Sequence, residues 1–323
     1  VTRWLARRLA ASVAIVFTVV TLTFFIIRLA PGEPFLPPGE RAMDPAVREV
    51  LRAQFGLDRS VPEQFARFVG QLAHGNLGYS FTQRRPVAAA LADAIPNTLL
   101  LAGAALLLDF LLGVWLGVFQ AMRARSAADV ALGAGTLFIA SVPTFWLGLI
   151  LLLVFGEWLH WLPLGGVTDP VPPHGGLAQL WDRLHHLILP AVTLGVVGAA
   201  TTARYQRAAA LEAGAHDYVR TARAKGLSDR TIMARHVLRN ALLPTVTLFG
   251  LAFPFLLTGA VLIERVFSWP GMGRLAADAI LQRDYPVVSG TMLVASVMVV
   301  LGSLIADVLT AVADPRVRVQ ETG

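Results

Sequence analysis

The stretch LAASVAIVFTVVTLTFFII, Leu9 to Ile27, holds no charged residue. At 1.5 Å per residue a helix of this length covers roughly 30 Å, the depth of a bilayer's hydrocarbon core. Arg3, Arg7 and Arg8 precede it, a flank that also suits a secretory signal peptide. The run is long for such a peptide, and Arg28-Leu29-Ala30-Pro31 is a poor cleavage site, so the segment reads as a retained first span. Composition agrees: 55% of the 323 residues are hydrophobic, 15% are charged, and mean hydropathy is +0.62. Soluble domains carry about 25% charge. Cysteine is absent, which excludes a disulfide framework and a thiolate metal site.

Outward from this span, five further apolar stretches follow: Ile95 to Gln120, Val130 to Phe155, Leu187 to Ala203, Ala241 to Ile263 and Val287 to Ala313. The chain is therefore expected to be an all-α membrane protein with about six spans and both termini on one side. Lysine and arginine choose that side. The terminal segments and the loops around residues 123 and 204–240 hold 15 basic and 6 acidic residues, whereas segments 31–94, 156–186 and 264–286 hold 11 and 13. Cytoplasmic loops retain the positive excess, so both termini are expected in the cytoplasm. The net charge of +6 then reflects arginines near anionic lipid. No basic patch interleaved with aromatics appears, and nucleic acid is not expected as a partner.

Residues 31–94 are too long for a turn and are expected to form an external, periplasmic helical insertion. Asp44-Pro45 reads as an N-cap with proline at the first helical position, stopped at Gly56. Ser60-Val61-Pro62-Glu63 fits a capping box, with a stop at Gly75. Amphipathic helices on the membrane surface are the expected product. The second external segment, with Trp158, Trp161 and Pro163 followed by Pro170, Pro172 and Pro173, reads as an interfacial aromatic belt and a rigid loop.

Between the fourth and fifth spans lies DYVRTARAKGLSDRTIMARHVLRNALLP, Asp217 to Pro244. Lys225-Gly226-Leu227-Ser228 supplies a left-handed helix stop and then a serine N-cap, so two short helices at an angle are expected. Leu211, Ala215, Tyr218 and Ala222, then Ile232, Met233 and Val237, fall at helical spacing and are expected to form the apolar stripe. A Walker A loop needs glycines upstream of Gly-Lys-Ser/Thr, and this chain's single lysine has neither. The chain is no P-loop ATPase. If it transports with ATP, the ATPase is another polypeptide and this basic elbow is its docking element.

Asp109 and Asp307 fall within spans, where a carboxylate costs about 2.5–3.5 kcal/mol on insertion scales. The readings are a proton or cation relay; hydrogen bonding or pairing inside a helix bundle; or, for Asp307, reaching toward the cytoplasmic interface. Gly113 and Gly117 form a small-xxx-small face that permits close helix approach. His160, His185 and His186 lack zinc-motif spacing and read as structural or interfacial, with no metal expected. A nucleophile elbow and a catalytic acid/base pair are both missing, so the chain is not expected to be an enzyme.

In its ordered motifs the chain resembles the membrane subunits of bacterial binding-protein-dependent ABC importers, specifically the first permease of the dipeptide, oligopeptide and nickel group. The strings are Arg28-Leu29-Ala30-Pro31-Gly32-Glu33-Pro34, Phe55-Gly56-Leu57-Asp58, Gly75-Asn76-Leu77-Gly78-Tyr79-Ser80 and Pro96-Asn97-Thr98-Leu99. They continue with His186-Leu187-Ile188-Leu189-Pro190, the 217–227 elbow, Glu264 through Gly273 (ERVFSWPGMG), Arg283-Asp284-Tyr285-Pro286 and Asp314-Pro315-Arg316. In the general importer loop, Glu-Ala-Ala, three residues, Gly, nine residues, Ile-x-Leu-Pro, the residues Ala222, Gly226 and Leu238 match. Arg220, Thr221, His236 and Arg239 depart from it and look like the subgroup's own version.

The resemblance implies a single permease domain over 1–323, of type I importer architecture, in the bacterial inner membrane. It implies a second homologous permease sharing the pore, two ATP-binding subunits that hold ATP and Mg, an external substrate-binding protein, and no cofactor on this chain. Tyr218, Arg220, Thr221, Ala222, Lys225, Gly226, Leu227 and His236 are then the coupling residues of a 204–240 cytoplasmic loop. Phe267, Trp269, Pro270 and Gly271 are candidates for an external gate or loop. The competing expectations are a proton-coupled secondary transporter using Asp109 and Asp307, and a non-transporting membrane receptor.

Overall fold

The computed structural model describes residues 2–29, 44–54, 56–169, 171, 175–257 and 260–313. Among these the regular structure is helical, with one isolated antiparallel bridge between Tyr79 and Pro86. Four helices are long and apolar enough to cross a membrane: α1 (Thr2–Leu29), α4 (Val87–Met122), α7 (Gly176–Gly214) and α13 (Tyr285–Ala313). Between and after them come α2 (Pro45–Gln54), α3 (Val61–Ala73), α5 (Ala127–Ser141) and α6 (Thr144–Leu151), the last running into a π-helical segment, Leu152–Trp158. Next are α8 (Asp217–Ala224), α9 (Asp229–Ile232), a second π segment (Met233–Val237), α10 (Leu238–Leu257), α11 (Val261–Val266) and α12 (Met272–Leu281). The expected fifth span falls on α10 and α11, with residues 258 and 259 outside the described residues. All of the 30–43 stretch, with the Ala30-Pro31-Gly32-Glu33-Pro34 end of the first motif and the start of the expected insertion, and the Asp314-Pro315-Arg316 motif also lie outside them.

The third span, expected as one helix from Val130 to Phe155, is a bent pair: the axes of Ala127–Ser141 and Thr144–Trp158 differ by 101°. Pro143 causes the break. It has no N–H to give the preceding turn, and its ring forces Val142 out of the helical region, to φ −78° and ψ 129°. With the pair counted as one span, the described residues hold five.

Packing divides the chain into two compact units, Val1–Asn97 with Gly271–Met298, and Thr98–Pro270 with Val299–Gly323. In the first, Val87, Leu91 and Ala94 of α4 pack with Met272 and Ala279 of α12 and Val287 and Val288 of α13. Helix α3 lays Phe65 and Phe68 on Phe24 of α1, with ring centroids 5.1 and 5.2 Å apart, and Arg28 covers the Phe24 ring while its Nε donates to Gln64 Oε1 at 2.8 Å. The Asp44 cap forms, accepting the Ala46 N–H at 2.9 Å. The capping box expected at Ser60 does not: its side chain caps nothing, and the Glu63 carboxylate pairs with Arg59.

Asp284, fully buried, explains why two distant motifs occur together. It accepts hydrogen bonds from Ser80 Oγ, Thr82 N (3.1 Å) and Thr82 Oγ1 (2.8 Å), and so ties the end of the 75–80 string to the start of α13.

The second unit is organised by α4 against α7. A Cβ on Gly113 would lie 2.6 Å from Thr202 Cβ, and one on Gly117 2.6 Å from the Ala203 carbonyl oxygen. Helix α7 answers with Gly195 and Gly198, whose Cβ atoms would meet Leu108 and Asp109 at 2.8 and 2.5 Å. The two backbones are in contact along this face, as the small-xxx-small spacing predicts.

Candidate functional site

The elbow after α7 is built from its local sequence. Helix α7 stops at Gly214, α8 restarts at Asp217, and α8 stops at Lys225 with Gly226 at φ +79°. Gly226 N donates to the Arg223 carbonyl at 3.0 Å and Leu227 N to the Ala222 carbonyl at 3.4 Å. This paired arrangement satisfies the last carbonyls of α8 and needs a left-handed residue, which glycine adopts without cost. Ser228 then caps α9, its Oγ accepting the Thr231 N–H at 3.4 Å. Stop, turn and restart match the sequence expectation.

The buried face of the elbow is shifted from the expected one. Val219 and Ala222 are buried, whereas Leu211, Ala215 and Tyr218 are exposed. The expectation carried one helical phase from α7 into α8, and the break at Gly214 resets that phase. Beyond the turn Ile232 and Val237 are buried and Met233 packs on them, as expected. Together with Ala121 of α4, Ala210 and Ala213 of α7 and Ala241 of α10 they form one small-residue cluster that holds α8 down. Tyr218 is fixed at its tip: its hydroxyl donates to the Ala213 carbonyl (3.3 Å) and accepts from Asn240 Nδ2 (2.9 Å), which also reaches the carbonyl of His236 (3.3 Å).

Arg220, Thr221, Arg223, Lys225, Gly226 and Leu227 all face outward. The ion pairs within this set, Arg220 with Asp217 at 3.5 Å and Arg223 with Asp229 at 3.6 Å, join strongly exposed side chains and add little stability. α8 thus has a packed apolar side and a basic, open side that ends in a bare glycine turn. Chemically it offers charge and shape to a partner and holds no catalytic constellation.

Asp129 and Arg207 also fix the elbow, and sequence reasoning missed both as a pair. The Arg207 guanidinium donates two bonds of 2.7 Å to the almost fully buried carboxylate of Asp129, which also accepts the Arg125 N–H at 2.9 Å. This bidentate clamp joins the start of α5 to the last turns of α7. An acid three residues after Ser126 reads as an ordinary helix start, and no local signal links it to a residue 78 positions away.

Asp109 is half-buried and accepts from Thr202 Oγ1 at 2.7 Å against the Gly198 backbone. That is the bundle-pairing arrangement. Asp307 is half-buried on α13. Phe267 and Trp269 are buried: Trp269 with Leu101, Leu187 and Ala191, Phe267 with Leu189 and Ile263. The Phe267 carbonyl accepts the Gly166 N–H at 2.9 Å, and Gly271 is the N-cap of α12. Beside them the buried Glu264 accepts from Thr98 Oγ1 at 3.1 Å.

Residues 113–319 match the family model described as "Binding-protein-dependent transport system inner membrane component", and residues 1–102 match a companion model for the N-terminal part of such membrane components. The di/tripeptide transport system permease protein DppB of Pseudomonas aeruginosa is 41% identical, over 98% of this chain and 99% of its own length. The oligopeptide transport system permease protein AppB of Bacillus subtilis is 37% identical, over 97% and 98%. The glutathione transport system permease protein GsiC of Escherichia coli is 36% identical, over 98% of each.

Proposed function

Because the chain belongs to the family of binding-protein-dependent transport system inner membrane components, we propose that it is the permease half of an ATP-driven importer for peptides or related small solutes, moved through its α8 elbow. The observation that carries this reading is the two-sided α8: Val219 and Ala222 seat it in the small-residue cluster, while Arg220, Thr221, Arg223 and Lys225 lie on its exposed side, open to a partner. The chain has no P-loop of its own. Each of two partner ATPases grips one permease's elbow in the cytoplasm of a bacterial cell and supplies ATP and Mg. An external binding protein delivers the solute to a pore shared with a second permease. A rigid seat is what such coupling needs, since force on α8 then passes into α4, α7 and α10 instead of being lost in a loose loop.

The absence of cysteine makes the test clean. Lys225→Cys introduces the sole thiol, in a position that is exposed. The expected results are labelling by a membrane-impermeant maleimide only in inverted vesicles, and cross-linking to a co-purified ATPase. Uptake in proteoliposomes is expected to require ATP, the ATPases and a binding protein. Labelling from the outside would overturn the reading, as would uptake by this chain alone under a pH gradient.

A further inference from the structure

In the first third of α7 a buried histidine, His186, faces the Asp169 carboxylate across 3.6 Å, beyond hydrogen-bond range. His186 and Asp182 are buried one turn apart on α7, and Asp169 lies on the preceding loop with its side chain 65% exposed. One ligand atom from each of the three lies within 4.8 Å of the other two.

Their hydrogen bonds set the chemistry. His186 Nδ1 lies 2.9 Å from the Asp182 backbone carbonyl and 3.2 Å from Asp182 Oδ1. A carbonyl oxygen only accepts, so in the neutral ring the proton sits on Nδ1 and Nε2 carries a lone pair. That lone pair faces Asp169 Oδ1 at 3.6 Å. Two acceptors at this distance have nothing to exchange, and the gap exceeds hydrogen-bond range. It does suit two ligands of one ion: bonds of about 2.0–2.1 Å at a tetrahedral angle put ligand atoms roughly 3.4 Å apart. Asp182 holds both ligands, fixing the ring through Nδ1 and, through Oδ2, accepting the Asp169 N–H at 3.1 Å. A carboxylate behind a metal-binding imidazole is the usual outer partner of such sites. Asp169 also lines an open cleft of about 320 Å³ with His160 and His185, which gives an ion a way in.

We propose that Asp169 and His186 bind a divalent transition cation of the zinc class, with Asp182 as the residue that orients them. Imidazole nitrogen with carboxylate oxygen and no thiolate suits Zn²⁺, Ni²⁺ or Co²⁺ over soft Cu(I). The bound ion ties the loop carrying Asp169 to α7. The Asp182–His186 spacing of four is legible in the sequence, whereas the approach of Asp169 is not.

The test is equilibrium dialysis of the purified full-length chain in detergent against Zn²⁺, with metal counted by mass spectrometry. About one zinc per chain is expected. Asp169→Asn, at an exposed side chain that leaves folding intact, weakens binding at least ~tenfold, and Asp182→Asn by about 10–100-fold. His160→Gln and His185→Gln bind as the parent does. With Co²⁺ as probe, visible d–d absorption appears in the parent and is lost in Asp169→Asn. Zinc uptake equal in the parent and Asp169→Asn overturns the proposal, whether both bind or neither does, and so does loss in the His160 or His185 variant to the same extent as in Asp169→Asn.

Discussion

Gly226 separates the conformation of the elbow from its contacts. Its φ is +79°, and a Cβ built there meets nothing within 4 Å. Gly226→Ala therefore adds no clash in the chain itself and bears only the cost of a left-handed L-residue, about 1–2 kcal/mol. Since ~1.4 kcal/mol is tenfold in an equilibrium, alanine lowers the ratio of bent to competing elbow conformers by roughly an order of magnitude. Asparagine enters the left-handed region more readily and falls between glycine and alanine. Gly226→Pro cannot form this turn: φ is locked near −65°, and the N–H that reaches the Arg223 carbonyl at 3.0 Å is gone. Val219 and Ala222, which seat α8, lie upstream, so membrane insertion persists in all four forms. The assay is solute uptake per ATP hydrolysed by the complete transporter in proteoliposomes. The expected order is Gly, Asn, Ala, Pro, with the proline form hydrolysing ATP and importing little. A proline variant with the parent's uptake per ATP would refute the coupling role of the elbow. Alanine falling as far as proline would refute the conformational argument, because side-chain bulk and not φ would then decide.

Three further outcomes are expected. Gly117→Ala places a Cβ 2.6 Å from the Ala203 carbonyl oxygen and pushes α4 off α7, at about 1–3 kcal/mol, whereas Gly103→Ala on the same helix meets nothing and is neutral or slightly stabilising; thermal melting in detergent compares them. Arg207→Gln strands a carboxylate that is only 5% exposed and lowers the melting temperature, and in a double-mutant cycle with Asp129→Asn the second change costs much less than the first. Asp284→Asn weakens the bonds from Ser80 and Thr82 by a total of about 1–3 kcal/mol, and limited proteolysis at Arg84 and Arg85 is expected to speed up. Unchanged cleavage in that variant would show that Asp284 does not hold this loop.

What the sequence determines by itself is whatever a few neighbouring residues decide. An uncharged run long enough for the bilayer is a span wherever it is placed, so Leu9 to Ile27, and most of the other spans, are legible from length and charge. Asp44 before Pro45, and Lys225-Gly226-Leu227-Ser228, act within one turn of helix, and both do in the fold what their chemistry requires. Gly113 and Gly117 are legible as a close-approach face, though not as the face of α7. Tertiary structure decides the rest, because those energies depend on residues far apart in the chain. A helix break reset the phase of α8 and buried Val219 in place of Tyr218. Pro143 marks a break in the sequence, but its 101° angle is visible only in the fold, where α5 and α6 both pack on α7. The pairs Asp129–Arg207 and Ser80–Asp284 carry no mark in one dimension: a buried charge needs a partner, and only the folded chain says which one is within reach.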